Sequence, residues 1–417
     1  MIDSDAILES LEPRLKELAR RFPGDSPARQ PVHTVYGGAQ LFKSDTARKL
    51  GALALRALAE NGGAPNTFAE AAGIAPELAE TVYARAVEKL QREPVEDFRI
   101  DFEDGYGIRP DTEEDGHAAS AAREVATGIN AKTLPPFLGI RIKPLSLELA
   151  RRSLRTLEIF LSNLLDAAGR LPPWFVVTLP KIQVVDQVTA LADAFDALES
   201  KLGLAAGSLQ FEFMIETTQS IPILAAMRDA ARGRVVAAHF GTYDYTASCN
   251  ITAAHQCMDH PACDFARHAM QVAYAGTGLW LSDGATNVMP SGDRATVHRA
   301  WRLHADHIRH SLVNGFYQGW DLNPAQLPTR YAAVYAFFLE SLPAATERLR
   351  NFIEKAGQAT LVGDVFDDAA TGQGLLNYFL RALNCGAITE EEALATGLTV
   401  DELRSRSFAK ILQSRRR

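Results

Sequence analysis

The sequence predicts an α/β fold of the TIM (β/α)8 barrel class. Short apolar runs that end in polar or charged residues alternate with helical stretches along most of the 417 residues. Eight such runs are present, and eight alternating strand and helix units favour closure into a parallel barrel over an open doubly wound sheet. The length of the chain agrees with this interpretation, because such a barrel takes about 250 residues and leaves room for an extension at each end.

The eight predicted strands are β-rich apolar runs bounded by turn residues. A helical stretch follows each run, so the strands are expected to lie parallel, with the polar residues after each strand meeting at one end of the barrel. In chain order the strands are VHTVYGG, FRIDFED, FLGIRIK, FVVTLPK, LQFEFMIET, VVAAHFGTYD, GLWLSDG and GFYQGWDL, which begin near residues 32, 98, 137, 175, 209, 235, 278 and 315.

The barrel domain is predicted at residues 31–328, with other segments around it and within it. Residues 1–30 form an acidic amphipathic helix and a proline-containing linker. A helical segment of about 62–93 is inserted between the first two strands, after the helix-breaking sequence NGGAP. Residues 329–417 predict a C-terminal extension of helices without strands.

The charge balance and the hydropathy pattern exclude several partners. The 43 Lys and Arg residues against 51 Asp and Glu residues give a net charge of −8, which argues against the basic face that nucleic-acid binding requires. No apolar run approaches the roughly 18 residues of a membrane span. The N-terminus lacks the basic and then apolar order of a secretory signal, so we expect a cytoplasmic protein without a nucleic-acid or membrane partner.

The four cysteines do not predict a disulfide framework in a chain of this length. His255, Cys257, His260 and Cys263 lie close together in AAHQCMDHPAC, but their spacing matches no usual zinc finger. Packing and loop hydrogen bonding explain this cluster better than zinc does.

Charged residues follow five consecutive predicted strands. Active sites of TIM barrels form at the carboxyl ends of the strands, so these side chains are expected to converge on one mouth. In strand order they are Asp101, Glu103 and Asp104, then Arg141 and Lys143, then Lys181, then Glu216, and finally Asp244.

Carboxylates crowded at one mouth repel one another, and a hard divalent cation relieves that repulsion. Mg²⁺ is the natural candidate, because two protein carboxylates leave coordination positions free for a bidentate substrate such as a 2-oxo acid. The alternative is a ring of structural ion pairs around the rim. The co-occurrence of charges on five strands favours the metal site.

The ordered motifs FEDG, IRIKP, LPK, MIET, FGTYD and GWDLNPAQLP resemble the HpcH/HpaI aldolase and citrate lyase beta-subunit family, to which malyl-CoA lyase and malate synthase are related. In that family the corresponding strands read LED, RIN, LPK, MIE and FGxxD, and the last strand carries HPxQ. The resemblance runs from Val32 to Leu327, and its specificity lies in six motifs in the correct order.

The resemblance implies roles for the residues at the mouth. Glu216 and Asp244 are expected to ligate Mg²⁺, and Arg141 to contact the carbonyl oxygen of the substrate. The predicted substrate-binding residues beside them are Glu103, Asp104, Lys143 and Lys181. Asp104 is expected to support a metal-bound water, and Lys181 to balance charge rather than to form a Schiff base, since the metal already supplies the electrophile.

A further acid is implied by the C-terminal extension. Citrate lyase-like and malyl-CoA lyase-like proteins place an aspartate of a GxMID-like stretch over the active site of a neighbouring subunit. Asp367 lies at a comparable position and is the candidate proton donor or acceptor at the thioester or enolate carbon. Asp364 and Asp368 are alternatives, and a helix N-cap is the structural alternative for any of the three. The implied assembly is a homo-oligomer, with a trimer or a dimer of trimers as candidates.

Three features depart from the family pattern. Lys143 replaces the asparagine of RIN, Asn323 replaces the histidine of HPxQ, and the helical insertion separates the first two strands. These differences leave open whether the substrate carries coenzyme A. A lysine near the mouth would suit a second carboxylate, as in a free dicarboxylic or hydroxy acid.

The resemblance thus implies a Mg²⁺-dependent carbon–carbon lyase of the aldolase type. Its substrate would be a 3-hydroxyacyl-CoA or a 4-hydroxy-2-oxo acid, cleaved through a metal-stabilised enolate to release a 2-oxo acid or an acyl-CoA. Two alternatives stay open, namely malate synthase-like condensation of glyoxylate with acetyl-CoA and a barrel that binds a small acid without catalysis. The presence of Glu216, Asp244 and Arg141 together favours an enzyme.

Overall fold

Eight parallel strands close into a barrel in a computed structural model, which describes residues 4–26, 28–354, 360–362, 365–367, 369–405 and 411. The strands follow one another around the barrel in sequence order, and the last pairs with the first. All eight predicted strands are confirmed. Their bounds are β1 His33–Gly38, β2 Asp97–Asp101, β3 Phe137–Arg141, β4 Phe175–Leu179, β5 Gln210–Ile215, β6 Val235–Phe240, β7 Trp280–Ala285 and β8 Gln318–Asp321.

Helices surround the barrel and extend it at both ends. The N-terminal helix is α1 Ser4–Arg21, and the helices within the barrel domain are α2 Thr46–Ala57, α3 Pro65–Ala72, α4 Ala79–Arg92, α5 Asp111–Ala131, α6 Ala150–Ala168, α7 Val185–Leu202, α8 Leu224–Ala230, α9 Thr242–Ser248, α10 Pro261–Tyr274 and α11 Arg294–Val313. The C-terminal helices are α12 Leu327–Glu354, α13 Ala369–Cys385, α14 Glu390–Leu394 and α15 Val400–Arg404. No helix in the described part of the chain combines the length and the apolar character needed to cross a bilayer.

The inserted segment contains two helices that pack onto the barrel wall. A π-helical turn, Leu58–Gly62, ends the preceding helix at the sequence where a break was predicted, and Gly63 adopts a φ of +63°. The buried ring of Phe68 on α3 meets Trp301 of α11 edge to face at 5.3 Å. The insertion therefore shares the hydrophobic core of the barrel.

The C-terminal extension contains one element that the sequence pattern did not predict. Strands β9, Thr360–Val362, and β10, Val365–Asp367, form a small antiparallel sheet between α12 and α13. The predicted C-terminal helices are confirmed, and this sheet is an addition that the sequence did not predict, because strands of three residues are too short to show an alternating pattern.

The interior of the barrel is polar at its centre. The Arg99 guanidinium forms two hydrogen bonds to Glu212, with N–O distances of 2.8 and 2.6 Å, and also pairs with Asp97. Trp320 donates its indole N–H to Nδ1 of His239 at 2.9 Å, which leaves the His239 Nε2 facing Glu212 at 3.1 Å. Because an indole only donates, Nδ1 is unprotonated and the ring carries its proton on Nε2, on the side of Glu212. Charges taken out of water are tolerated there because they are paired.

The barrel closes between β8 and β1 on one buried carboxylate, Asp321. His33 Nδ1 lies 2.7 Å from it, His304 Nε2 lies 3.0 Å from it, and Arg330 pairs with it at 3.0 Å. Burial alone would raise the pKa of Asp321, but Arg330 and the two histidines hold it well below its usual range. This carboxylate links β1, β8, α11 and α12, and both of its oxygens have hydrogen-bond or ion-pair partners within the protein.

Candidate active site

Four carboxylates and two cations converge where strands β2 to β6 end. Parallel pairing sets their positions, since Asp101 at the end of β2 lies in register with Arg141 at the end of β3. The loops that follow the strands then carry the remaining charged groups toward the same mouth. The converging side chains are Glu103, Asp104, Arg141, Lys181, Glu216 and Asp244.

Arg141 is held in one orientation by Asp101. Its Nε and Nη2 donate to the two carboxylate oxygens of Asp101 at 2.7 and 2.5 Å, and its guanidinium lies over the ring of Tyr36 at 4.9 Å. Asp101 also accepts the backbone N–H of Gly105 at 2.7 Å, and a Cβ at that glycine would lie 2.6 Å from the same oxygen. A bidentate pair fixes direction as well as charge, so the remaining Nη1 of Arg141 points into the mouth toward Glu103 at 3.0 Å.

Lys181 occupies the centre of the carboxylate cluster. Its ammonium lies 2.5 Å from Glu103, 3.2 Å from Asp104 and 3.5 Å from Asp244. Its backbone N–H donates to Glu216 at 2.8 Å, from a residue with φ +52°. Burial lowers the pKa of Lys181, but Glu216 and Glu103 outweigh burial and raise it above its usual value. The ammonium therefore remains charged and serves as the cation that these carboxylates share.

Glu216 is the most strongly perturbed acid of the mouth. It is buried at the end of β5, and burial together with the charge of Asp244 raises its pKa to about 8, against the opposing effects of Lys181 and Arg141. The residue that follows β6, Gly241, makes room for it, because a Cβ there would lie 2.6 Å from the Cβ of Glu216. The glycine of FGTYD thus allows the two metal-ligand candidates to face one another.

The two acids after β2 differ in their surroundings. Burial and the neighbouring charge of Asp104 raise the pKa of Glu103, although Arg141 opposes the shift. Burial also raises the pKa of Asp104, but Arg141 and Lys181 outweigh it, and the pKa is lower than usual. Asp104 is thus the readily ionised member of the pair and the more exposed one.

Lys143 lies apart from this cluster. Its ammonium donates to the carbonyl of Phe102 at 2.5 Å, pairs with the buried Glu114 of α5 at 2.8 Å, and lies over the ring of Tyr106 at 4.9 Å. These contacts attach the end of β3 to α5. The role of Lys143 in substrate binding stays a prediction, and it would require the ammonium to leave this pair.

The C-terminal acid is described only in part. Asp367 is the last residue of β10 and pairs in register with Thr360, and its side chain lies outside the description. Asp364 and Asp368 lie outside the described residues. The role of Asp367 therefore stays a prediction.

Two site features escaped the sequence analysis. Tyr36 at the end of β1 carries the Arg141 guanidinium on its ring and packs against Trp320 with ring centroids 4.6 Å apart. Its buried hydroxyl has no hydrogen-bond partner among the described residues. Asp101 was recognised as a charged strand end, but its function as the support of Arg141 depends on strand register. Tyr36 carries no charge, so the pattern of charged strand ends does not include it. Its position directly before the paired glycines of β1 is the sequence signal that could have indicated it.

An apolar cavity opens beside Tyr36, between β1, α2 and the loop after β8. Its volume is about 160 Å³, and its lining includes Leu50, Phe98 and Leu322. Among the described residues that line it, none is charged. The cavity and the charged mouth therefore have Tyr36 in common and differ sharply in polarity.

The donor set at the mouth suits a hard cation, although the described residues show no ready group of three or more His, Cys, Asp or Glu side chains around one point. Mg²⁺ requires fewer protein ligands than that, because it keeps several waters and is bound through one or two carboxylates. Glu216 and Asp244 supply two such groups, and the raised pKa of Glu216 indicates that Lys181 and Arg141 do not offset its burial and the charge of Asp244. The residues therefore fit the ion.

A family model described as "Domain of unknown function (DUF6986)" matches residues 11–411. No curated protein sequence matches the chain.

Solved structures with the same fold include three of interest. A citrate lyase from Burkholderia xenovorans is 20% identical, with a TM-score of 0.60, over 89% of this chain and 99% of that one. CitE from Mycobacterium tuberculosis, in complex with magnesium, acetoacetate and coenzyme A, is 16% identical, with a TM-score of 0.51, over 86% and 99%. A magnesium and glyoxylate complex of Haloferax volcanii malate synthase is 15% identical, with a TM-score of 0.51, over 93% and 97%. The resemblance inferred from the motifs is thus confirmed at the level of the fold.

Proposed function

The chain belongs to the DUF6986 family, and we propose that it is a Mg²⁺-dependent carbon–carbon lyase whose substrate is a small 2-oxo or hydroxy acid or its coenzyme A thioester. One observation carries the proposal. Carboxylates from three strand ends converge on Lys181 beside Arg141, which is held in a fixed orientation. Glu103, Asp104 and Asp244 contact the Lys181 ammonium, and Glu216 accepts its backbone N–H. Rim ion pairs alone would not require an excess of acids around one point.

Glu216 and Asp244 are the residues that would hold the ion. With its pKa near 8 in the ion-free protein, Glu216 is largely protonated at neutral pH, and a divalent cation would favour its charged form. When bound, Mg²⁺ would supply a Lewis acid that polarises the substrate carbonyl and neutralises developing charge. Asp104, ionised and half exposed, is placed to accept a hydrogen bond from a water in the mouth.

Arg141 would stabilise negative charge on the substrate oxygen. Asp101 accepts hydrogen bonds from Nε and Nη2 of Arg141. Nη1 of Arg141 is therefore directed at the position where Glu103 now lies. A substrate oxygen in that place would take over the contact from Glu103. A donor fixed before the reaction stabilises the transition state without reorganising, which is the usual source of such catalysis.

Lys181 would balance the negative charge of the mouth, and its presence is compatible with a bound Mg²⁺. Its ammonium contacts Glu103, Asp104 and Asp244 and also interacts with the charge of Glu216, so a divalent ion between Glu216 and Asp244 would compete with it for these two acids and leave it Glu103 and Asp104. Its high pKa makes it a poor amine nucleophile, which agrees with charge balance and disfavours a Schiff base.

The apolar cavity beside Tyr36 is the part of the site that would take an uncharged portion of the substrate. Its described lining carries no charge, so it favours an acyl or other apolar group and offers no cation to a phosphate. Whether that group is part of a thioester or of a free acid is decided by a substrate screen.

Cleavage and condensation are one reaction in two directions, so a condensing activity is the alternative. The malate synthase structures share the fold, and release of free coenzyme A from acetyl-CoA and glyoxylate would favour condensation. A barrel that binds a small acid without catalysis predicts acid binding with no turnover in either direction.

The test is a calorimetric titration with Mg²⁺ at pH 8, followed by oxaloacetate, pyruvate, glyoxylate and hydroxyacyl-CoA substrates. Glu216→Gln and Asp244→Asn should each lose Mg²⁺ binding and turnover, while Asp193→Asn, at a surface acid on α7, should retain both. Unchanged Mg²⁺ binding in either mouth variant would refute the metal site.

A further inference from the structure

The N-terminal helix exposes an apolar stripe. Each α1 residue from Leu8 to Arg21 is exposed, and four of them are leucines with side chains roughly half accessible. Successive leucines are three, four and three residues apart, and Phe22 follows the last of them by four. Such spacing places them along one face of a helix. The leucines are Leu8, Leu11, Leu15 and Leu18.

This helix is poorly stabilised on its own. Pro13 lies inside it and removes one backbone hydrogen bond. The ion pairs Glu12–Lys16 and Glu17–Arg20 are exposed and contribute little. Helices in proteins gain most of their stability by packing an apolar face, and the described body of this chain does not cover the face of α1.

The end of α1 is fixed to the barrel. Arg21 pairs with Asp229 at 2.7 Å, Arg228 lies over the ring of Phe22 at 5.2 Å, and the N–H of Gly24 donates to the carbonyl of Gly276 at 2.8 Å. The helix therefore projects from a defined point beside α8 and α10.

An apolar groove begins at that same point. It has a volume of about 620 Å³ and is lined by α8, α10 and the turn Thr218–Ile223 together with Phe22. Phe265 and Val272 stand seven residues apart on the outer face of α10, 63% and 86% exposed, with Ala269 between them. Small residues between large ones allow another helix to approach closely. Contiguous exposed apolar surface of this kind marks an interaction site.

We propose that the leucine stripe of α1 docks in the α8–α10 groove of a second copy of this chain, and that the exchange is reciprocal. Stripe and groove lie on one chain and meet at Phe22, so a two-fold arrangement covers both surfaces of both copies at once.

Charge supports this occupant. The ionisable residues that line the groove are Arg21, Arg228 and His268, and Asp229 pairs with both arginines. The described part of α1 before Pro13 carries Glu9 and Glu12 and no cation, so it complements a rim that is basic overall.

The test measures mass in solution for the full chain. Wild type is expected to be an even-numbered oligomer by light scattering at micromolar concentration. Leu11→Glu/Leu15→Glu and, separately, Val272→Glu are expected to halve the mass, and each dissociated variant should still unfold cooperatively on heating, since these side chains are exposed in the single chain. Leu53→Glu, at an equally exposed leucine of α2, should keep the wild-type mass.

Mixing the two disrupted variants distinguishes reciprocal docking from pairing of α1 with itself or with another surface. A mixture retains one intact stripe and one intact groove per pair, so it should re-form the oligomer with weaker affinity than wild type. A monomeric wild type would overturn the proposal. So would an oligomer broken by the α1 variant but not by Val272→Glu, because that result means that the helix pairs with itself or with another surface.

Discussion

Two buried carboxylates of this barrel, Asp321 at the β8–β1 seam and Glu216 at the end of β5, have pKa values displaced in opposite directions. Asp321 faces Arg330 and the rings of two histidines, and its pKa lies well below its usual range. Glu216 faces Asp244, and its pKa is raised to about 8. Both carboxylates are buried, but the cations around Asp321 outweigh its burial, whereas Lys181 and Arg141 do not outweigh burial and Asp244 at Glu216.

The largest expected effect concerns stability at the seam. Asp321→Asn leaves the buried Arg330 without its carboxylate and should lower the free energy of unfolding by about 3–5 kcal/mol. Glu216→Gln keeps the acceptor for the backbone of Lys181 and should change it by about 1 kcal/mol or less. Urea unfolding of both variants measures the difference, and equal losses would contradict the distinction.

The next effect concerns the orientation of Arg141. Arg141→Lys cannot keep the two bonds to Asp101, and Asp101→Asn weakens them, so turnover should fall roughly 10²–10³-fold in each. Arg309→Lys, at a surface pair with Glu340, should stay close to wild type. Steady-state kinetics on whichever substrate the screen identifies is the measurement, and full activity in Arg141→Lys would remove its assigned role.

Gly241→Ala tests the space behind Glu216. The new Cβ would lie 2.6 Å from the Cβ of Glu216, so the side chain or the loop must shift, at a cost of about 1–3 kcal/mol and with weaker Mg²⁺ binding. Gly116→Ala, in α5, meets no atom within 4 Å and should stabilise slightly. If titration finds the same Mg²⁺ affinity in Gly241→Ala and wild type, the glycine is not required for the site.

The stability contributions of the two carboxylates are expected to depend on pH in opposite directions. Because the folded-state pKa of Glu216 lies above the ordinary value of 4.5, its contribution to stability is complete below that value and is lost as pH rises through about 8. Asp321 has a depressed folded-state pKa, so its contribution is present above the ordinary value of 3.8 and is lost as pH falls below it.

Protons also compete with Mg²⁺ for Glu216. The apparent affinity should therefore rise about tenfold per pH unit between pH 6 and 8 and level off above. Titrations at three pH values, with Glu216→Gln as control for general effects, check this dependence. A flat profile would mean that Glu216 is not a ligand.

The sequence predicted the strands and the charged strand ends well, because both depend on local pattern and on a general property of barrels. It could not show that Lys143 turns to Glu114, since that pairing depends on how α5 packs across the end of β3. Nor could it show the buried network of Arg99, Glu212 and His239, because inward and outward positions of a barrel strand look alike until the barrel closes.

The central claim is that Glu216 and Asp244 share one hard cation. A crystal structure of the protein soaked with Mn²⁺ in place of Mg²⁺, read from the anomalous signal of the metal, tests it most directly. We predict one peak within about 2.0–2.3 Å of a carboxylate oxygen of each residue, with Asp244 released from Lys181. A metal bound elsewhere, or a mouth in which Lys181 still holds Asp244 and no peak lies between the two acids, would contradict the claim.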